Sequence, residues 1–532
     1  MANSTFGTRG IAVAPHSLAA QSALDVLRDG GNALEAMIAA AAAIAVVYPH
    51  MNSIGGDGFW VIHKPGFAAG AIDASGRSAQ RASLDWYASQ GVHTSIPFRG
   101  HLAALNVAGT VSGWGAAHQL SRGIGGRMPL SRLLSDAIYF ADQGIPITGS
   151  QARTTQAKLV ELINQPGFAE TFLVNGQVPT QGSRFKQPRI ARTLACIAKE
   201  GTESFYRGAL ARDIADDLEK LGSPLALSDL QNHHAKLVNP LELKLDQARV
   251  LNMTPPTQGV VSLMILGIMD ALKGWQDDPE GPDFLHAQVE ATKLAFKLRD
   301  QHITDPDWMS LHASELLDPS LLKKLAGQID LTRAAPWGQA TDPGDTIWMG
   351  VIDGSGLCVS FIQSIYHEFG SGMVLPQTGI NWQNRGCAFS LNPTHINALM
   401  PGKKTFHTLN PAIAILADGR SMVYGTMGGD GQPQTQATLF QRIQAFGDAP
   451  QQAIERPRWL LGRTWGQSSD SLKLERRFSE ATFDALKSRG HDVEWLSPWD
   501  EAVGHAGMLI QQKNGLMLGG FDPRSDGGVA AF

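Results

Sequence analysis

The chain has 532 residues, 43% of them hydrophobic, which is ample for a large buried core. Its formal net charge is −5 and no strongly basic stretch stands out, so nucleic acid is excluded as an expected partner. The three cysteines, Cys196, Cys358 and Cys387, lie far from any CxxC spacing, which excludes a disulfide framework and fits a reducing compartment.

The first residues lack a basic start followed by an apolar core, so no signal peptide is read. The spacing predicts an amphipathic helix over Leu18–Arg28, stopped by Asp29-Gly30-Gly31. Asn32 then reads as the N-cap of an Ala-rich helix ending near Pro49. The run Ala36 to Tyr48 is too short to span a bilayer and reads as a buried helix. A cytoplasmic protein with no membrane partner is expected. A Gly-rich loop, Ser53 to Gly58, leads into short strands at Phe59–His63 and Ala69–Asp73. Residues from about 130 to 300 read as mostly helical, as in Arg212–Leu221 and Phe284–Arg299. The charges from Arg212 to Lys220 read as a solvated helix face.

Residues 331–345 are rich in Pro, Gly and small polar residues without periodicity, and read as an exposed, mobile segment. The character changes at once after it. Thr346–Ile352 and Leu357–Ser364 read as strands around Asp353-Gly354-Ser355-Gly356. Further pairs are Ala412–Leu416 with Ser421–Gly425, and Met508–Gln512 with Leu516–Gly520. Between these pairs a glycine-rich stretch, Gly425 to Gly431, leads into a helix over Gln434–Phe446. No internal repeat is present.

Several chemistries lack their motifs. There is no Gly-x-Ser-x-Gly elbow, no His-Glu-x-x-His and no phosphate-binding Gly-x-x-x-x-Gly-Lys-Ser/Thr. The adjacent pairs His233-His234 and His367-Glu368 lack the spacing that puts two ligands on one helix face. No metal and no cofactor is expected.

A mobile segment ending in Asp345, followed by a threonine that opens a strand, is the informative feature. Cleavage between Asp345 and Thr346 would give Thr346 a free α-amino group. A threonine hydroxyl is a weak nucleophile, and an adjacent amine with a pKa near 8 can act as its general base.

The stretch from Thr346 to Gly372 resembles the signature of the γ-glutamyltransferase family. Ordered matches extend along nearly the whole chain. They include Gly30-Gly31-Asn32, Ile54-Gly55-Gly56-Asp57-Gly58-Phe59, Pro255-Pro256, Leu409-Asn410-Pro411 and Met427-Gly428-Gly429. The resemblance implies an α+β fold, the αββα sandwich of N-terminal-nucleophile hydrolases, with a helix-rich large-subunit portion. It implies self-cleavage into a large subunit, 1–345, and a small subunit, 346–532, co-folded into one core. Thr346 takes the nucleophile position. Ser364 stands where the family has a second Thr that hydrogen-bonds the nucleophile's amine. Gly428 and Gly429 match the oxyanion-hole glycines, where backbone N–H groups at the start of a helix face developing negative charge.

Other positions depart from the family. Past the nucleophile it has a small hydroxylated residue and a His, where this chain has Ile347 and Trp348. It holds a γ-glutamyl α-ammonium with Asn, then Glu or Gln, then Asp, and the aligned residues here are Tyr366, Arg385 and Ala388. An ammonium facing Arg385 would be repelled, at a cost of roughly several kcal/mol in a desolvated pocket. Arg385 suits a substrate carboxylate instead. Trp348 and Tyr366 are expected to shrink the pocket. Arg77 lies two residues beyond the family's carboxylate-binding Arg position, which holds Ser75, and is a second candidate for that role. His407 and Thr408 occupy the positions of two substrate-contacting serines, with His407 either donating to a carboxylate or packing.

The expected enzyme is therefore a self-processing amidohydrolase acting on a small carboxylate-bearing amide. A γ-glutamyl hydrolase or transferase with rearranged donor binding stays open. So does a cephalosporin-type acylase, whose roomy acyl pocket Trp348 argues against. A further alternative is an unprocessed, non-catalytic homologue. Assembly into a homo-oligomer is also left open by the sequence.

Overall fold

Alternating apolar residues build two seven-stranded sheets, antiparallel throughout, in a computed structural model that describes residues 3–275, 277–338, 345–463 and 469–532. The strands are β1 (Thr5–Gly7), β2 (Gly10–Ala14), β3 (Asp57–His63), β4 (Gly70–Asp73), β5 (Lys236–Val238), β6 (Leu241–Leu245) and β7 (Ala248–Asn252). They continue with β8 (Asp345–Asp353), β9 (Cys358–Tyr366), β10 (Ala412–Leu416), β11 (Ser421–Thr426), β12 (Ala506–Gln511), β13 (Met517–Phe521) and β14 (Gly528–Ala531). One sheet has the order β1-β13-β12-β11-β10-β7-β6, and the other β14-β2-β8-β9-β3-β4-β5.

The facing sides of the sheets share an apolar layer that includes Val13, Phe59, Trp348, Ile362, Val423 and Leu509. Helices cover the outer sides. On one side lie α1 (Ser17–Arg28) and α2 (Ala33–Val47), within a core that also takes in further helices between residues 84 and 231. On the other lie α3 (Gly259–Ala271), α4 (Pro282–His302) and α5 (Gly431–Gln444). The result is the expected αββα sandwich. Helix α2 is buried along its whole length, and Asn32 and Glu35 close a capping box at its start. Its four turns are Ala-rich because small side chains let it sit between the sheet and neighbouring helices. Each larger aliphatic side chain buried there contributes about 1.5–3 kcal/mol.

Both sheets mix strands from the two sides of the Asp345–Thr346 bond. Central strand β8 pairs with β2 on one edge and β9 on the other, and β10 pairs with β7. Neither part of the chain has a complete sheet without the other.

The region from 130 to 300 is mostly helical, as expected, with β5, β6 and β7 also in it, and two other sequence expectations need correction. The hairpin Leu241–Leu245 and Ala248–Asn252 alternates buried and exposed residues only in part, so its period of two is masked. The strands at the two chain ends, β1, β2 and β14, are short and were not read. The charged face of Ala209–Lys220 is only partly solvated, because Asp217 is buried and accepts the backbone N–H of Gln377 at 2.8 Å. Residues 331–338 contain no helix or strand, as expected, while 339–344 lie outside the described residues. The cysteines are all free. Among the described residues no helix is long and apolar enough to cross a membrane.

Candidate active site

Thr346 is the second residue of β8 and is buried. The pairing of β8 with β9 slips between Asp345 and Ile347, so Thr346 sits at an irregularity in the ladder. Its Oγ1 donates to Ser364 Oγ at 3.3 Å. Ser364 Oγ also accepts the N–H of Tyr366 at 2.8 Å. In the uncut chain the Ser364 hydroxyl therefore meets the Thr346 hydroxyl, whereas the sequence reading concerned its amine.

Strand β9 runs beside β3, and Ser364 is paired directly with Asp57. This approach requires Gly56, because a Cβ there would lie 2.1 Å from the Ser364 carbonyl oxygen. Asp57 is buried, and its Oδ1 accepts the N–H groups of Gly76 and Gly109 at 2.9 and 3.2 Å. Its Oδ2 stands 3.3 Å from His407 Nε2. Asp57 belongs to the Gly-Gly-Asp-Gly motif, but its place beside Ser364 was not read, because a cross-strand neighbour 307 residues away leaves no local signal.

Tyr366 ends β9 with φ +82°, a conformation that costs a non-glycine residue about 1–3 kcal/mol. The bond from its N–H to Ser364 Oγ holds it there. Its ring lies 4.0 Å from the Arg385 guanidinium carbon, a stacked cation–π arrangement. Arg385 itself is 1% exposed, and among the described residues neither Nη1 nor Nη2 has a hydrogen-bond partner. Burial lowers its pKa to about 10, partly opposed by the Tyr366 hydroxyl, Asp57 and Cys387. A buried guanidinium with open donors has the chemistry to receive a planar anion.

His407 is fully buried, edge-on to Phe59, and its ring nitrogens make no well-formed hydrogen bond. Burial, then the nearby Arg385 charge, lowers its pKa to about 4 against the pull of Asp57. It is therefore neutral at pH 7. Among the described residues Thr408 Oγ1 is buried without a hydrogen-bond partner. His407 thus stands beside Asp57, the strand partner of Ser364, and Arg385 stacks on Tyr366, whose N–H bonds Ser364.

Gly428 and Gly429 follow β11 with φ of +114° and +51° and lead into α5. The Gly428 carbonyl accepts the Gly431 N–H at 2.8 Å, which turns it toward the helix. Among the described residues neither glycine N–H donates to a protein group. Gly425, three residues earlier, packs on the indole of Trp348, so this loop starts beside β8.

Two predicted residues stand elsewhere. Trp348 is in the apolar layer between the sheets, with its indole N–H on Ser360 Oγ at 2.9 Å. A Cβ at Gly425 would lie 2.3 Å from this ring, and one at Gly507 2.5 Å, so glycines in the facing sheet make room for it. Trp348 is a core residue, and the sequence argument that used it to exclude a roomy acyl pocket has no support here. The guanidinium of Arg77 is already engaged by Asp305 at 3.2 Å, Asp307 at 2.7 Å and the Gly402 carbonyl at 2.8 Å. It lines a separate cavity of about 700 Å³ with Lys236 and Lys404.

One group has the composition of a metal site: His286, Glu290 and His491, with ligand atoms within 4.8 Å of one another. Its donors are committed. His286 Nδ1 meets His491 Nε2 at 2.7 Å, His286 Nε2 meets the Asp330 carbonyl at 2.8 Å, and Glu290 Oε1 pairs with Lys293 at 2.7 Å.

Comparison with known proteins agrees with this geometry. The gamma-glutamyltranspeptidase family profile matches residues 19–532. An oxamate amidohydrolase proenzyme of Klebsiella pneumoniae is 58% identical over the full length of both chains. A glutathione hydrolase-like proenzyme of Bacillus subtilis is 38% identical, also over the full length of both. A crystal structure of a cephalosporin acylase from Bacillus halodurans superposes with a TM-score of 0.91 at 32% identity, covering 100% of this chain and 97% of that one. The chain belongs to the gamma-glutamyltranspeptidase family, has the N-terminal-nucleophile hydrolase fold and is a hydrolase of amide C–N bonds.

Proposed function

We propose that this family member is a self-processing, threonine-dependent amidohydrolase whose substrate is oxamate, converted with water to oxalate and ammonia. The observation that carries the substrate is Arg385, buried against Tyr366, whose N–H bonds Ser364, with two guanidinium nitrogens that have no hydrogen-bond partner among the described residues. An ammonium-bearing γ-glutamyl donor would meet this cation, whereas a carboxylate would satisfy it. The name of the Klebsiella relative points to the same substrate.

In this reading the precursor is cut between Asp345 and Thr346. The pieces 1–345 and 346–532 stay together because each sheet contains strands of both. Thr346 Oγ attacks the carboxamide carbon, and the freed α-amine carries the hydroxyl proton to the departing ammonia. The C–N bond breaks as an oxalyl ester forms on Thr346. The Gly428 and Gly429 N–H groups receive the oxyanion, Ser364 orients the nucleophile, and Arg385 over Tyr366 holds the substrate's carboxylate. Water then hydrolyses the ester, releases oxalate and restores the hydroxyl. His407 and Thr408 line the seat, and Arg77, neutralised by Asp305 and Asp307, has no part in it. Neutral His407 offers the substrate a polar contact without a second positive charge.

Two other reactions have specific support. The acylase reading rests on the 0.91 TM-score, and the γ-glutamyl reading on the Bacillus subtilis relative. Parallel incubation with oxamate, a γ-glutamyl anilide and a cephalosporin side-chain amide separates the three. Ammonia from oxamate alone is expected. Aniline or acyl release with no ammonia from oxamate would sink the proposal. A single band on a denaturing gel, with none for 1–345 and 346–532, would favour an unprocessed, non-catalytic protein.

A further inference from the structure

The Gly428-Gly429 pair has an intrinsic difficulty as an anion-binding device. Glycine has more backbone freedom than any other residue, and with two in a row at positive φ something outside the loop has to hold their peptide planes. The structure supplies a tie. Gln258, at the start of α3, is fully buried, and its Nε2 donates to the Gly429 carbonyl at 2.9 Å and to the Thr408 carbonyl at 3.0 Å. Both amide hydrogens are thereby used. Its Oε1 accepts from Arg299 Nη1 at 3.0 Å, which fixes which end of the carboxamide faces which partner.

Arg299 is at the end of α4 and is 1% exposed. The same Nη1 reaches Asp430 Oδ1 at 2.9 Å, and Nε reaches Asp300 at 2.7 Å. Its guanidinium lies 4.1 Å from the Phe296 ring. Asp430 directly follows Gly429, so Arg299 and Gln258 grip the loop at adjacent residues from α4 and α3. The backbone N–H of Gln258 also donates to the His407 carbonyl at 2.9 Å. One side chain and its own backbone therefore connect the glycine loop to the 407–408 loop.

We propose that Gln258, aimed by Arg299, is a positioning residue for the reaction. It sets the spacing between the glycine N–H groups that receive the oxyanion and the His407-Thr408 strip against the substrate. Because a trans peptide points N–H opposite C=O, the Gly431 bond to the Gly428 carbonyl sets the Gly429 N–H, the Thr426 hydroxyl on the Met427 carbonyl at 2.8 Å sets the Gly428 N–H, and Gln258 on the Gly429 carbonyl holds the next peptide and so anchors the pair from the helix side. The inference rests on the assignment of Gly428 and Gly429 made above.

The test is steady-state ammonia release from oxamate by Gln258→Met, Gln258→Glu and Arg299→Lys, with rates expressed per mole of cleaved enzyme. Methionine keeps the length but donates nothing, and glutamate faces two carbonyl oxygens with a carboxylate. For both, kcat is expected to fall about 100-fold with KM within about threefold, because the loss is felt where charge develops. Arg299→Lys, which keeps a charge for Asp430 but not the fork, is expected to fall about tenfold. Unchanged kcat in the Gln258 variants, or a raised KM at unchanged kcat, overturns the inference. If the Gln258 variants do not accumulate as folded, cleaved protein, Arg299→Lys decides, and unchanged kcat there overturns it. Wild-type enzyme silent on oxamate would instead refute the function proposed above, so the two failures are distinct.

Discussion

Replacing Arg385 with methionine tests the substrate assignment and its energetic cost together. The guanidinium is buried, stacked on Tyr366, and has two nitrogens without partners. Its pKa, lowered by burial from the ordinary guanidinium value to about 10, corresponds to about 3 kcal/mol carried by the free enzyme. The sign follows from linkage. A cation with a depressed folded pKa destabilises the fold fully below about pH 10, and the penalty is relieved only as pH rises through 10 toward the ordinary guanidinium value. A bound carboxylate gives both nitrogens acceptors. Truncating one partner of such a buried pair costs about 2–5 kcal/mol, or about 30- to 4,000-fold in kcat/KM. Methionine spans similar length without charge, so the melting temperature of the free enzyme should hold within a few degrees or rise. The assay is ammonia release from oxamate, with acetamide as a neutral control and a thermal melt on the same preparation. A kcat/KM for oxamate within about threefold of wild type would refute the anion seat. So would equal losses on oxamate and acetamide. A fall of more than about 5 °C in Tm would show that Arg385 is structural.

Other outcomes follow from the same structure. Thr346→Ala should remain a single band of full length on a denaturing gel and release no ammonia, and any cleaved product would refute self-processing at this residue. Trp348→Phe should lower Tm, through a core cavity worth about 1–3 kcal/mol, while leaving KM for oxamate within about threefold; a large KM change would return the indole to the substrate pocket. Gly425→Ala places a methyl against that indole and should destabilise the fold by about 1–3 kcal/mol or more by overpacking, read as a lower urea midpoint. Burial lowers the pKa of His50 from 6.5 to about 3, so its contribution to stability is full above pH 6.5 and is lost as pH falls toward 3. His50→Gln should flatten the fall of unfolding free energy between pH 6 and 4 by about 1.4 kcal/mol per pH unit, and an unchanged slope would refute the neutral buried ring.

The local elements were legible where their signals are local. Asn32 caps the helix it was assigned, and β8 to β13 follow the alternation and turn residues that announced them. The short strands at the chain ends were missed, because three to five residues hold too little pattern to stand out. Trp348 shows the limit of residue-by-residue transfer. Its alignment next to the nucleophile suggested a pocket wall, but Gly425 and Gly507 in the opposite sheet open a space that takes the indole into the core. Arg77 shows the same limit. Its charge was visible in the sequence, while the carboxylates of Asp305 and Asp307 that neutralise it come from more than 220 residues away.

The sequence by itself determined the family, the threonine that opens a strand after a proline- and glycine-rich segment, and the arginine standing where an ammonium binder belongs. Those are properties of residue type and order along the chain. Only the tertiary structure decided which polar groups are left unpaired. Arg385 is open because Asp57, the acid whose charge acts on it, already accepts two backbone N–H groups and faces His407. Arg77 is closed because two acids reach it, and Gln258 matters because it touches two loops at once. Pairing and desolvation are set by distance and burial between residues far apart in sequence, and composition does not encode them.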